Sequence, residues 1–200
     1  DGTFSAGANY LADNVTPQPG FNYHTFNYYV GMAFLPFAEF SFRMTIFRTD
    51  DDSLRNQDRS LSARVRILKE GKVLPAILIG GNDIFSTTGS GRKYFKSLYI
   101  AGTKNILFGD HQTSLTIGYA PGELIESDFS GLFGGVSFTP SFLKPLTLMA
   151  DYDTRFFNAG ASVLLFRHLY LYGFVSDFDQ FAGGFAFRLY PGRSASSRQN

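Results

Sequence analysis

The stretch Phe37-Ala38-Glu39-Phe40-Ser41-Phe42-Arg43-Met44-Thr45-Ile46-Phe47-Arg48 decides the fold. In an extended chain Phe40, Phe42, Met44 and Ile46 fall on one face, and Glu39, Ser41, Arg43 and Thr45 fall on the other. A period of two is the signature of a strand with one apolar face, because successive side chains alternate across the sheet.

The same alternation extends in both directions. Leu61, Ala63, Val65 and Ile67 oppose Ser62, Arg64 and Arg66; upstream, Phe26, Tyr28, Val30, Met32 and Phe34 oppose Asn27, Tyr29, Gly31 and Ala33. Downstream, Leu115, Ile117 and Tyr119 oppose Ser114, Thr116 and Gly118, while Leu146, Leu148, Ala150 and Tyr152 oppose Thr147, Met149, Asp151 and Asp153. Phe157 to Leu165 and Phe181 to Leu189 follow suit. With the less regular segments, about twelve strands are expected by these rules. They lie near 3–11, 25–35, 37–48, 59–69, 73–83, 93–104, 112–119, 131–139, 145–153, 157–166, 169–176 and 180–190. Strand five is ambiguous in phase. So is strand six, where Lys96 shares a face with Leu98 and Ile100; a long side chain at the membrane rim can snorkel to water.

The connections alternate in length. Leu35-Pro36, Lys69 to Lys72 and Phe166 to His168 are short, whereas Ala12 to His24, Thr49 to Asp58, Ile84 to Arg92 and Ala120 to Ser130 are long and polar. Short turns on one side and long loops on the other characterise outer-membrane barrels. Lys104 to His111 and Pro140 to Lys144 are long for such turns, and Thr154 to Phe156 and Asp177 to Asp179 are short for such loops.

Composition supports strands. Among 200 residues there are 23 Phe, 11 Tyr and 21 Gly, with no Cys and no Trp. Without cysteine there is no disulfide framework or thiolate metal site. A net charge of +1 gives no reason to expect a nucleic-acid partner. No run approaches the roughly 18–20 apolar residues of a membrane helix, yet alternating strands cross membranes without one. No signal peptide is visible, so the start at Asp1 reads as a mature or trimmed N-terminus.

A soluble sandwich would carry Lys, Glu, Thr and Ser on its outer faces. Here one face of nearly every strand is apolar, and the other mixes Gly, Ala, Ser, Asn and a few charges. That suits a crowded lumen. The fold class is therefore all-β, a transmembrane antiparallel β-barrel of about twelve strands in the bacterial outer membrane, spanning 1–190 and followed by a polar tail at 191–200. Tyr10, Tyr28, Tyr119, Tyr152 and Tyr190 lie near strand ends, where aromatic girdles are expected.

By alternation Glu39, Arg43, Arg64, Arg66, Asp151, Asp153 and Arg188 face the lumen. They either line a polar conduit with an internal field or form a salt-bridge network that fills it. A twelve-stranded barrel lies between side-chain-filled eight-stranded barrels and open porins. The small inward residues Gly7, Gly31, Ala33, Gly118, Gly135, Gly160 and Gly184 leave room, which favours a cavity.

No catalytic constellation emerges. His24, His111 and His168 lie on separate connections or strand starts, with His24 and His111 on opposite rims, and no His-x-Ser pair sets a nucleophile beside its base. Asp50, Asp51 and Asp52 have the oxygen chemistry of a Ca²⁺ site but read first as a solvated loop. Gly89 to Lys93 lacks phosphate-loop spacing, and the Asn14-Val15-Thr16 sequon is incidental. No cofactor or metal is expected.

Several segments are distinctive. They are Phe34-Leu35-Pro36-Phe37-Ala38-Glu39, Asn56-Gln57-Asp58-Arg59-Ser60, Leu68-Lys69-Glu70-Gly71-Lys72, Thr139-Pro140-Ser141-Phe142-Leu143-Lys144-Pro145 and Asn158-Ala159-Gly160-Ala161-Ser162. Together they resemble the YjbH-like outer-membrane proteins, especially the short single-barrel members of Bacteroidota. The resemblance runs from about Thr3 to Phe187. It implies an association with exopolysaccharide export for the longer members, and no catalytic residues to carry over. The expected function is a non-enzymatic barrel, a channel or export component for polysaccharide or small solutes. The alternative is an accessory subunit of a larger outer-membrane complex with an occluded lumen. For that role the loop carrying Pro17, Pro19, Phe21 and Tyr23 is the candidate partner contact. The expected partners are outer-membrane lipid, other outer-membrane proteins and polysaccharide.

Overall fold

The computed structural model describes residues 2–12, 24–48, 54–86, 96–122 and 129–191, excepting the side chains of 34, 47–48 and 54–58. The partner loop at Pro17 to Tyr23, the Asp50 to Asp52 run, Gly89 to Lys93 and the tail from 192 lie outside the described residues.

Twelve strands follow one another: β1 (Thr3–Leu11), β2 (Thr25–Leu35), β3 (Ala38–Arg48), β4 (Leu54–Leu68), β5 (Ala76–Ser86) and β6 (Ser97–Phe108), then β7 (His111–Ala120), β8 (Gly131–Thr139), β9 (Leu146–Tyr152), β10 (Phe157–Leu165), β11 (Leu169–Ser176) and β12 (Gln180–Leu189). Each pairs antiparallel with its sequence neighbours, and β1 closes on β12 from Phe4↔Leu189 to Leu11↔Ala182. The sheet is a closed barrel with no free edge. No described helix is long and apolar enough to cross a membrane.

The alternation in the sequence sets which residues face out. Val30, Phe42, Leu115 and Phe185 stand 40–50% exposed on the outer surface. Their strand neighbours turn inward, where Asn27 and Thr45 are buried. A folded protein in water does not present such a continuous apolar belt. In a bilayer the belt meets lipid, and closure pairs every strand's backbone groups, as hydrocarbon demands.

Girdle residues flank the belt. Tyr10 stacks on His24 and meets Phe26 at the long-loop end, where Tyr119 and Tyr152 also end their strands. At the short-turn end the girdle is mainly phenylalanine. Phe138 and Phe142 surround His111, and Phe187 and Tyr190 surround His168.

The boundaries of strands four, five and six differ from the sequence expectation. Strand five begins at Ala76, not at 73, because Pro75 has no N–H to give a ladder. Its turn therefore runs from Lys69 to Pro75, held by Gly71 N–H donating to Leu74 O at 3.0 Å. Strand five is hard to phase because it carries a bulge: Leu61 pairs with Phe85, but Ala63 pairs with Gly81. Two extra residues are accommodated there, and Asp83 takes a positive φ of 48°. Strand six starts after Lys96 and runs on to Phe108, so the expected Lys104 to His111 connection is a two-residue turn at Gly109-Asp110. Gly109, at φ +61°, supplies the left-handed conformation that a tight hairpin needs at its first central position. Strand four also begins earlier, at Leu54.

The Lys69–Pro75 turn is clasped from outside the membrane span. Glu70 accepts from Asn105 N–H at 2.9 Å and from its side-chain amide at 2.5 Å, and pairs with Lys104 at 3.2 Å. The Asn105 hydrogen bonds, backbone first, and then Lys104 hold the Glu70 carboxyl below its ordinary 4.5. A depressed carboxylate favours the clasp above the unfolded pKa, and the advantage is lost as pH falls through the folded one. The Asn105 amide resonance is accordingly expected to be constant at neutral pH and to titrate below 4.5, and Glu70→Gln should abolish that titration.

The lipid-facing assignment has its own test. Phe42 lies mid-strand between Val30 and Leu61. Phe42→Arg should cost about 2–4 kcal/mol in reversible urea unfolding from bilayers, whereas Phe42→Leu should keep the heat-modifiable folded form on unboiled gels.

Candidate functional site

The candidate site is the barrel interior, built from the inward residues of all the strands. One wall is held by ions. Arg43 on β3 reaches past β4 to Asp83 on β5, Nη2 to Oδ2 at 2.5 Å. Asp83 is 1% exposed, and its backbone N–H donates to Ser62 Oγ at 3.0 Å. The β5 bulge brings Asp83 here: regular alternation would have pointed it at lipid. Nearer the short-turn end Arg64 donates through Nε and Nη2 to Glu39 Oε2, at 2.9 and 2.7 Å. Arg66 donates to the Pro36 carbonyl.

The seam where β1 meets β2 and β12 is held by neutral groups. Thr45 Oγ1 donates to Asn27 Oδ1 at 2.7 Å, Asn27 Nδ2 to Asn9 Oδ1 at 2.8 Å, and Asn9 Nδ2 to Tyr172 Oη at 3.1 Å. This chain crosses from β3 to β11 along the inner wall.

On the opposite wall, at the long-loop end, Asp151 and Asp153 project together. Asn158 bridges them, donating at 3.0 Å to Asp151 and 3.3 Å to Asp153. The other oxygen of Asp153 accepts the backbone N–H groups of Arg155 and Phe156. Among the described residues neither carboxylate has a Lys or Arg partner. Arg188, lower on β12, lies over the Tyr170 ring at 3.9 Å. The charges expected in the lumen therefore divide into three groups, Arg66 and Arg188 being engaged by a carbonyl and a ring. Arg43, Glu39 and Arg64 are spent on ion pairs with near neighbours, and Asp151 and Asp153 stay open at the mouth.

The small inward residues do not simply leave empty space. Gly7 faces Tyr29, Gly80 faces Tyr99, Gly118 faces Phe133 and Gly160 faces Phe174, each across one strand pair. In the first three the ring tip lies over the glycine, where a Cβ would collide with it; for Gly7 that approach is 2.8 Å from Tyr29 Cζ. Aromatic rings covering cross-strand glycines are a known device of β-sheets. Here they lay rings along the wall instead of across the lumen.

Two adjoining cavities stand out in the interior among the described residues. The larger, about 560 Å³, is lined by Tyr29, Tyr170, Tyr172, Phe174, Asp151 and Asn158 among others. The second, about 460 Å³, lies against Tyr99, Phe133, Asn82 and Thr116. Phe129 and Asp153 line both, so the two adjoin near the long-loop end.

The family model described as exopolysaccharide biosynthesis protein YbjH matches residues 20–130, more than half of the chain. The chain belongs to the YjbH family. Among solved structures, this YjbH-family barrel is similar to a KdgM porin at 11% identity, with 93% of this chain and 97% of that one covered and a TM-score of 0.54, a likeness of fold. It also aligns with outer membrane phospholipase A from Escherichia coli at 11% identity, covering 94% and 96% of the two chains, with a TM-score of 0.40. No curated protein sequence matches it. Closed, belted by apolar side chains and porin-like in fold, it is a bacterial outer-membrane β-barrel whose belt contacts lipid.

The histidines have structural partners. His24 Nδ1 meets Tyr10 Oη at 2.7 Å, His111 Nδ1 accepts from Ser141 N–H at 3.1 Å, and His168 Nδ1 meets the Arg188 carbonyl at 2.7 Å. Among the described residues no group of three His, Asp or Glu could hold a metal.

The two ion pairs differ sharply in burial, which predicts different costs. Arg43→Ala strands a buried Asp83 and should destabilise the barrel by about 3–5 kcal/mol. Removing both partners should recover much of that loss. Arg64→Ala breaks a half-exposed pair and should cost less than about 1 kcal/mol. A double-mutant cycle by urea unfolding measures all of these.

Proposed function

We propose that the barrel is a non-enzymatic passage for polysaccharide or small polar solutes across the outer membrane. The observation that carries this reading is the pair of adjoining cavities, left open because aromatic rings lie along the wall and the lumen ion pairs, Arg43–Asp83 and Arg64–Glu39, stay close to it. A lumen evolved only for rigidity would be crossed by its salt bridges. Here the long-range pair, Arg43–Asp83, spans a single intervening strand and hugs one side. The family's description as an exopolysaccharide biosynthesis protein agrees with a carbohydrate cargo.

The mouth gives the passage an electrical character. Asp151 and Asp153 lie at the long-loop end of β9 with no cationic partner among the described residues, and carboxylates at a pore mouth favour cations. The purified barrel should therefore conduct steadily in planar bilayers with a preference for cations. Asp151→Asn with Asp153→Asn should lower the cation-to-anion permeability ratio without closing the pore. A silent bilayer from correctly folded protein would refute passage and leave an occluded accessory subunit as the working description.

A further inference from the structure

We infer that the larger lumen cavity is a binding subsite for uncharged sugar units, and that it discriminates against acidic ones. The inference rests on the passage reading for its cargo but on separate features for its specificity. Tyr170, Tyr172 and Phe174 follow one another at every second residue of β11, so all three point inward in an axial row. The Tyr170 and Tyr172 ring centroids are 5.7 Å apart and tilted by 34°. That spacing is comparable to one pyranose ring, so consecutive sugar units can meet consecutive aromatic faces. The apolar C–H face of a pyranose packs on an aromatic face for the same reasons that nucleobases do, without reading a sequence of functional groups.

The row is fixed before any ligand arrives. Asn9 holds the Tyr172 hydroxyl, and Arg188 packs on the Tyr170 ring. Groups already ordered lose little freedom on binding. Beside these rings, toward the long-loop end on the adjoining β9 and β10, Asp151 and Asn158 supply a carboxylate and an amide, the acceptor and donor types that sugar hydroxyls need. Among the described residues no Lys or Arg lines this cavity. A uronate carboxylate entering at the long-loop end would meet Asp151 and Asp153, neither of them paired with a Lys or Arg among the described residues, while Arg188 is engaged on the Tyr170 ring; like charges in a confined site are costly. The aromatic faces supply affinity, and the two aspartates supply the charge filter.

The test is titration calorimetry of the full barrel in mild detergent with two probes, maltohexaose and the hexamer of galacturonic acid. Maltohexaose should bind, and the acidic hexamer should bind at least about tenfold more weakly. Tyr170→Ala with Tyr172→Ala should weaken maltohexaose by about tenfold or more, while Tyr170→Phe with Tyr172→Phe keeps the rings and most of the affinity. Asp151→Asn with Asp153→Asn should narrow the gap between the two probes. Equal binding of both by the unaltered barrel, no binding of either, or alanine variants that fold and bind undiminished would each overturn the inference. Calorimetry does not require an open pore. Conductance without hexamer binding would sink the subsite alone, and hexamer binding without conductance would sink passage alone.

Discussion

Everything in this molecule depends on the pairing of β1 with β12. Water is absent from the bilayer core, so an unpaired peptide group there costs several kcal/mol. An open sheet would leave two edges of such groups. Closure removes both, and it fixes the rest of the structure. The strands are antiparallel and strictly sequential, so one end carries the long loops and the other the tight turns. Each side chain must then face either lipid or lumen, with no third environment. The outer face can be uniform, since lipid asks only for apolarity. The inner face has to reconcile charges, amides and rings within one small cross-section.

Much of this was legible in the sequence, because two faces with different demands leave a period of two. The segments around β2, β3, β4 and β7 could be read directly, and with them the barrel. Legibility failed where the two faces ceased to differ or the period broke. In β11 the run Leu169-Tyr170-Leu171-Tyr172 is apolar on both sides, so nothing in the pattern says that the tyrosines are the inward set. Asp83 was hidden for the opposite reason. A bulge of two residues shifts the phase of β5, and a bulge is a property of the pairing of two strands, invisible in either alone. Lys104 and Gly109 show a third kind of failure: a charged residue near a strand end looks like the start of a loop, whereas here Lys104 remains in the ladder and holds the neighbouring turn.

The interior charges illustrate why residue type does not give role. By alternation alone Arg43 and Arg188 are equivalent, two arginines on inward positions. In the folded barrel one neutralises a buried carboxylate and the other lies flat on a tyrosine. The difference comes from what the adjacent strands offer at the same height, and that is set by register. The glycines are comparable. Counted in the sequence they suggest empty volume. Placed opposite aromatics they become the seats in which rings lie down, so the lumen is lined by hydrocarbon faces as well as polar groups.

The Arg43–Asp83 bridge also gives the wall an uneven mechanics. It ties β3 to β5 over the head of β4, bracing that arc of the circumference against flattening. The neutral amide chain from β3 to β11 braces the adjoining arc. The arc from β6 to β9 is held mainly by its backbone ladder and by short threonine contacts such as Thr103–Thr116. Under lateral pressure from the membrane, or around a bulky cargo, the barrel would therefore deform as a hinged hoop does, yielding on its lightly braced side while the ionic side holds its curvature.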